Sequence, residues 1–323
     1  MKTLNQFETY LVHEFVEDYA DGLMSRRDMV RRVVHITGGV AAAATTLTQL
    51  GVQPALAQSG TPPVATPSGP RSPDSVPADD PRISGSEVTY PGLDGAIVMA
   101  YQAMPAGFAT PAAVDEPGLP VVLVCHENRG LTEHIRDVAR RWAVQGYLAC
   151  APDLLSREGG TANIADPAEI PALLTGSADI QRHVDDFRAA VAFYATQPAA
   201  DAARLGMNGF CFGGGVTWRC ATQMPELRGA APFYGPPPPL DAVPDIKAAV
   251  FGVYSSDPGD FANKGQEALA AALTAAGVTF KFEIYPDTQH AFHNDTGPRY
   301  NAAQARQAWH DAVGWFETYV KGG

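Results

Sequence analysis

From residue 87 to the C-terminus, short apolar runs alternate with longer segments whose apolar residues recur every three or four positions. Val121 to Cys125 is apolar at every position, the pattern of a central strand covered on both faces. Tyr147 to Ala151, Arg204 to Asn208, Ala230 to Tyr234 and Ala248 to Tyr254 read as further strands, and Thr279 to Tyr285 alternates like a half-buried one. Glu87 to Tyr90 and Ala96 to Ala103 read as an antiparallel opening hairpin around Pro91-Gly92-Leu93-Asp94-Gly95. Thr132 to Gln145 is predicted as a helix, capped by Thr132 and ended by Gly146, with Ile135, Val138, Ala139, Trp142 and Ala143 on one face. Ala178 to Thr196, Gly213 to Gln223, Phe261 to Ala276 and Ala302 to Val320 carry the same helical period. Strands alternating with helices predict an α/β fold, a mainly parallel central sheet flanked by helices on both faces.

Gly209-Phe210-Cys211-Phe212-Gly213 lies where one of these strands turns into a helix. A nucleophile held at such a turn needs small residues two places before and after it, because the backbone folds tightly on itself. The G-x-C-x-G pattern therefore reads as the nucleophile elbow of an α/β-hydrolase fold, with thiol in place of hydroxyl. The helix that follows points its amides and positive dipole end at the sulfur, which favours thiolate. In that fold an acid and then a histidine follow the nucleophile in chain order. Asp257 stands in Ser256-Asp257-Pro258-Gly259 after the strand at Ala248 to Tyr254, and His290 follows the strand at Thr279 to Tyr285. Cys211, Asp257 and His290 thus form the expected triad. Asp260 lies three residues beyond Asp257 in the same turn; Asp257 is preferred because it comes first after the strand.

With these motifs in hand, the chain resembles the dienelactone hydrolase (carboxymethylenebutenolidase) family. The matching pieces are Val121 to Gly130 with its His126-Glu127, Ala151-Pro152-Asp153-Leu154, the Gly-Phe-Cys-Phe-Gly-Gly elbow, Ser256 to Gly259, and His290-Ala291-Phe292. They run in family order over roughly residues 88–320. The resemblance implies Cys211 as nucleophile, His290 as its base, Asp257 as the orienting acid, and Glu127 as a carboxylate that contacts the resting thiol and helps activate it. It implies an oxyanion hole from the backbone amides of Phe212 and Asn128, and a carboxylate-binding role for Arg157. Two positions depart from the family pattern. Ala291 stands where the best-known members carry Ser, and Asn294 where they carry a second carboxylate-binding Arg. Arg129 and Arg299 are the candidates to replace that arginine. These departures put dienelactone itself in doubt as the substrate.

The implied reaction is hydrolysis of an ester or lactone through a thioester, with no metal or organic cofactor. The alternatives are a general carboxylesterase or acyl hydrolase on another substrate, and a non-catalytic ligand-binding relative. A metal pair at His290 and His293 lacks a third ligand at helical spacing. A redox role for Cys211 lacks a C-x-x-C partner. The 323 residues are 46% apolar and 18% charged, with a net charge of −12 and no long acidic run. That balance gives a globular composition and argues against a nucleic-acid partner; oligomeric state is not legible.

The first 57 residues read differently. Ser25-Arg26-Arg27-Asp28-Met29, a weakly apolar stretch from Val33 to Leu50, and Ala55-Leu56-Ala57 resemble a twin-arginine export signal with its cleavage site. Residues 1–57 are then expected to stand outside the fold, with the export machinery as a partner and a periplasmic or other extracytoplasmic mature protein. The other reading is an accessory helical extension of a cytoplasmic hydrolase. Residues 58–83, with seven Pro between Gln58 and Pro81, are expected to be a disordered linker, and residues 84–323 the hydrolase domain. Cys125, Cys150 and Cys220 are expected to be buried apolar residues and Cys211 a free thiol.

Overall fold

The computed structural model describes residues 2–52, 69–108, 118–176 and 179–322. Among them, eight strands form one sheet: β1 (Ile83–Pro91), β2 (Ile97–Pro105), β3 (Leu119–Cys125), β4 (Leu148–Pro152), β5 (Ala200–Phe210), β6 (Leu227–Phe233), β7 (Ala249–Ser255) and β8 (Phe280–Tyr285). Their order is β1-β2-β4-β3-β5-β6-β7-β8. The β1–β2 and β2–β4 pairs are antiparallel, and β4 through β8 are parallel. This is the α/β-hydrolase fold, and the strands follow the apolar runs. β3, β4 and β7 are buried at every residue, as strands covered on both faces must be.

Helices α1 (Gln6–Ala20), α2 (Arg26–Thr37) and α3 (Val40–Gln49) precede the sheet. Within it come α4 (Glu133–Val144), α5 (Ile170–Thr175), α6 (Asp179–Tyr194), α7 (Phe212–Gln223), α8 (Gln266–Ala275) and α9 (Ala302–Phe316). On β5, Gly206 faces Phe316 at the end of α9, whereas Gly209 faces Thr217 of α7. Successive strand residues point to opposite faces, so these positions, three apart, put α9 and α7 on opposite sides of the sheet. Trp142 of α4 packs against Trp309 and Phe316 of α9, with ring centroids 4.7 Å apart in both cases. On the other side α6 packs on α7, His183 against Phe212. The cysteines at 125, 150, 211 and 220 are all free and buried.

The N-terminal segment departs from its expected place outside the fold. Helix α1 carries Phe7, Tyr10, Leu11 and Phe15, a stripe at helical spacing, and all four are buried in the common core. It starts with a reciprocal cap in which Asn5 accepts from the Glu8 amide and Glu8 accepts from the Asn5 amide. Asn5 Nδ2 also donates to the Thr175 carbonyl at 2.7 Å, and Gln6 Nε2 to the Pro237 carbonyl at 2.7 Å. Phe7 meets Phe212 edge-on at 5.6 Å. Each such side chain contributes about 1.5–3 kcal/mol by leaving water, so an amphipathic stripe of this size docks rather than dangles. Met29, Val33 and Ile36 of α2 are buried as well.

Part of the expected linker is also fixed. Ser72 donates its amide to Asp295 Oδ2 at 3.0 Å, Arg71 donates through Nε to the Asp295 carbonyl at 2.8 Å, and Val76 donates its amide to Asp137 at 2.6 Å. These carboxylates give a Pro-rich strand of chain the partners that composition alone does not reveal. The cleavage site expected at Ala55-Leu56-Ala57 and residues 58–68 lie outside the described residues.

Candidate active site

The C-terminal ends of β3, β5, β7 and β8 converge on one point, the edge where open α/β sheets meet their ligands. At the end of β5 the chain reverses into α7 at Cys211, whose backbone sits at φ 56°, ψ −119°. That left-handed conformation is costly for any residue with a Cβ, and the flanking glycines make it possible. A Cβ on Gly209 would collide with the Gly213 carbonyl, and one on Gly213 with the Cys125 and His126 carbonyls. The G-x-C-x-G spacing is therefore a steric requirement of this turn. Phe212 opens α7, so its amide is among those at a helix start with no intrahelical acceptor, directly beside the thiol. Asn128 follows β3 and lines the same cavity as Cys211.

His290 follows β8 and is buried. Its Nδ1 lies 3.1 Å from Asp260 Oδ1. Asp260 also accepts from Ser255 Oγ at 2.6 Å and from the Ala262 amide at 2.9 Å. The partner of His290 is thus Asp260 and not Asp257, which corrects the expectation from chain order. Asp257 is partly exposed, and its carboxylate accepts from the Gly259 amide at 2.8 Å, an ordinary turn-closing bond. The turn carries Asp257 outward and brings Asp260 back under the histidine.

The resting thiol is held by a residue outside the expected set. Cys211 Sγ donates to Glu14 Oε2 at 3.2 Å, from helix α1. Glu127, expected in that place, accepts from Asn294 Nδ2 at 2.6 Å instead, and its other oxygen is buried without a partner. Glu14 Oε1 accepts from Asn128 Nδ2 at 2.8 Å. Tyr10, one turn earlier on α1, places its hydroxyl 3.1 Å from His290 Nε2 and donates to the Tyr234 carbonyl at 3.1 Å.

Electrostatics follow from this packing. Burial, then the adjacent Glu14 charge, push the Cys211 thiol up to about 12, outweighing the His290 contacts that lower it. The thiolate expected from the dipole of α7 is therefore not the resting form. Burial pulls the His290 pKa down, but the Asp260 charge and hydrogen bond, with Cys211 and Glu14, hold it well above the usual imidazole value. Burial raises the Asp260 pKa, and the His290 charge with three hydrogen bonds reverses that, leaving it below the ordinary carboxylate range. Glu14 Oε2, Cys211 Sγ and His290 Nε2 lie within 4.8 Å of one another. These donor types suit zinc, yet the same sulfur and nitrogen are the atoms acyl chemistry needs. His293 stacks on Phe210 at 5.0 Å, away from this trio's chemistry.

A cavity of about 320 Å³ opens beside Cys211, its charged walls including Glu14, Arg32, Glu127, Arg129 and Arg299. Arg129 lines this cavity. Arg299 does too, but its guanidinium pairs with Asp18 and Asp21 of the N-terminal segment, at 2.7 Å each. Arg157 is a correction: it is held by Asp94 and Asp186, at 2.8 Å each, and is not part of the cavity wall. Phe210, Phe212, Phe233, Tyr234 and Phe292 are fully buried and serve as core.

With that geometry in view, similarity to known proteins is decisive. A model of the "Dienelactone hydrolase family" matches residues 104–320. The chain belongs to the dienelactone hydrolase family. A protein of Escherichia coli K12 named "Putative carboxymethylenebutenolidase" is 38% identical over 232 residues, covering 67% of this chain and 83% of that relative. One of the same name from Methylorubrum extorquens is 36% identical over 248 residues, covering 73% and 82%. The crystal structure of a "Putative Dienelactone Hydrolase" from Klebsiella pneumoniae superposes with a TM-score of 0.64 at 32% identity, covering 73% of this chain and 99% of that one. Family membership makes the protein a hydrolase whose substrate is a small-molecule ester.

The family match starts at residue 104, so α1 and its Glu14 and Tyr10 lie outside the residues that the family model matches. Sequence reasoning missed both residues. The signal that could have found them is the Phe7-Tyr10-Leu11-Phe15 stripe behind an Asn5-x-x-Glu8 capping box, which marks a docked helix with Glu14 on its flank.

Proposed function

We propose that this dienelactone hydrolase family member cleaves esters or lactones through Cys211, His290 and Asp260. The observation that carries the reading is a histidine bonded to a buried carboxylate through Nδ1, its ring within 4.8 Å of the sulfur of a thiol on a strained strand-to-helix turn. Asp260 and Glu14 favour the imidazolium at rest, so the reactive form is the one in which His290 is neutral: its Nε2 takes the thiol proton as sulfur attacks the carbonyl carbon. The carbonyl π pair moves to oxygen, and the amides of Phe212 and Asn128 receive the oxyanion; one such donor is typically worth about 10²–10³ in rate. Collapse breaks the bond to the alkoxide or enolate, which leaves with the proton from His290. Water, deprotonated by His290, then attacks the thioester carbonyl and releases the carboxylic acid, and the thiolate recovers its proton. No step in this sequence calls on a metal or organic cofactor. Asp260 stabilises the imidazolium and fixes its tautomer throughout.

A thiolate leaves a tetrahedral centre more readily than an alkoxide does, so activated leaving groups such as enols suit this nucleophile best. Arg157 is tied to Asp94 and Asp186, and Asn294 to Glu127, which favours an ester other than dienelactone itself. Arg129 is the wall residue best placed to attract an anionic substrate. Turnover of 4-nitrophenyl acetate beside a dienelactone tests the reading. Cys211→Ala should abolish both activities with the melting temperature unchanged within a few degrees; full activity in that variant would discard the mechanism.

Export is the second proposal, and Arg26 and Arg27 ahead of a weakly apolar segment support it. No helix among the described residues is long and apolar enough to cross a membrane. Replacing both arginines with lysine should keep the full-length chain in the cytoplasm; a native protein that retains its N-terminus there would count against export.

A further inference from the structure

We propose that helix α1 is an intramolecular cap that keeps the thiol centre latent, so that the site opens only when α1 leaves. The proposal rests on the thiol-hydrolase reading above for its consequence, but not for its geometry.

Two side chains of α1 engage the two atoms that must react. Glu14 Oε2 accepts the Cys211 thiol at 3.2 Å, and the Tyr10 hydroxyl lies 3.1 Å from His290 Nε2. A carbonyl approaching sulfur needs the space that Glu14 fills, and a leaving group or water needs Nε2. Glu14 also binds Asn128 at 2.8 Å, at the residue whose amide would face an oxyanion. Cys211 itself is only 2% exposed. A carboxylate beside the sulfur opposes formation of a thiolate, so the contact suppresses reactivity as well as access.

The rest of α1 is built to hold that position. Its reciprocal N-terminal cap, its Asn5 and Gln6 bonds to backbone carbonyls at residues 175 and 237, and its buried Phe7, Leu11 and Phe15 all anchor it. Arg299 reaches across to Asp18 and Asp21 at the helix's far end. The strain-bearing, reactive turn is thus covered by a segment that lies ahead of the residues matched by the family model. Other groups around the trio, Asp260 and Glu127, belong to the body of the domain and stay when α1 goes.

The test uses the full chain. Leu11 is fully buried on α1 and is not part of the cavity wall, so Leu11→Asp places a charge in the docking face and should release the helix. Iodoacetamide alkylation at fixed neutral pH, mapped by mass spectrometry to Cys211, is read beside hydrolysis of 4-nitrophenyl acetate. Both should rise at least about tenfold over wild type, by analogy with removing a competing intramolecular ligand. Glu14→Gln keeps the shape of the helix and removes only the charge; its Cys211 alkylation should rise several-fold, which gives a second measure if Leu11→Asp does not fold. Alkylation that rises with no ester turnover in either wild type or variant would support the cap and discard the hydrolase reading. Unchanged alkylation in Glu14→Gln, or turnover that falls as alkylation rises, would overturn the cap and make α1 a working part of the site.

Discussion

Substituting Asp260 with asparagine isolates the orienting acid in one atom. Asp260 is buried, and its carboxylate meets His290 Nδ1 at 3.1 Å, Ser255 Oγ at 2.6 Å and the Ala262 amide at 2.9 Å. Ser255 bonds Oδ2, whereas Ala262 and His290 share Oδ1, so an amide oxygen in the place of Oδ2 keeps the Ser255 bond and the Ala262 cap is lost. The amide nitrogen then faces the imidazole, and the ring carries its proton on Nε2, where it can no longer take one from Cys211. The stabilising charge beside the imidazolium is lost at the same time, so the pH at which His290 protonates should fall. In serine hydrolases the equivalent change costs about 10⁴ in kcat, or about 5.4 kcal/mol of barrier. We expect a loss of the same order in single-turnover acylation by 4-nitrophenyl acetate. Asp257→Asn is the matched control: it keeps the acceptor for Gly259 and should leave the rate within about twofold, as surface changes usually do. Measuring both variants in the Leu11→Asp background as well cancels differences in α1 docking. A large loss in Asp257→Asn with Asp260→Asn near wild type would refute the assignment and return the role to Asp257.

Cys211→Ser should retain at most a trace of activity, because a hydroxyl gives up its proton far less readily than a thiol and the site already opposes the anion; rates within tenfold of wild type would show that the base is stronger than argued. Stability should depend on pH through Asp295, whose buried carboxylate accepts from His134 at 2.8 Å, Arg141 at 2.9 Å and the Ser72 amide at 3.0 Å. Burial raises its pKa, but the His134 bond and the Arg141 charge more than reverse this and hold it well below the carboxylate range. A depressed folded-state pKa means the contribution is fully present above the unfolded value of about 3.9 and is lost as pH falls through the folded value. Asp295→Asn should therefore cost about 3 kcal/mol in urea denaturation near pH 7, and the gap to wild type should narrow below about pH 4. A gap that stays constant with pH would mean that packing, not charge, sets the cost.

The parts of this molecule that the sequence makes legible are those fixed by local sterics and by period. β3 and β7 announce themselves as unbroken apolar runs, and Gly209 and Gly213 announce the elbow because no Cβ fits at either place. Cys211 and His290 follow from that frame. Asp257 and Asp260 are not separable in this way: both stand in one short turn, and the choice depends on which side chain the backbone turns inward. Asp257 closes its own turn on Gly259, while Asp260 caps the Ala262 amide and faces the histidine. The state of the sulfur is a contest of magnitudes rather than of motifs. A helix dipole favours the thiolate by about a kcal/mol or two, and full burial beside a carboxylate outweighs it. Glu14 reaches Cys211 across 197 positions of chain, a contact no spacing rule can deliver. What the sequence does hold is the amphipathic stripe of α1. Read as the lead-in to an export signal, that stripe has no function; read as a docking face, it carries Tyr10 and Glu14 to the two atoms on which the chemistry depends. The same residues can serve both ends if export removes the segment, since the cut that completes transport would then also uncover the thiol.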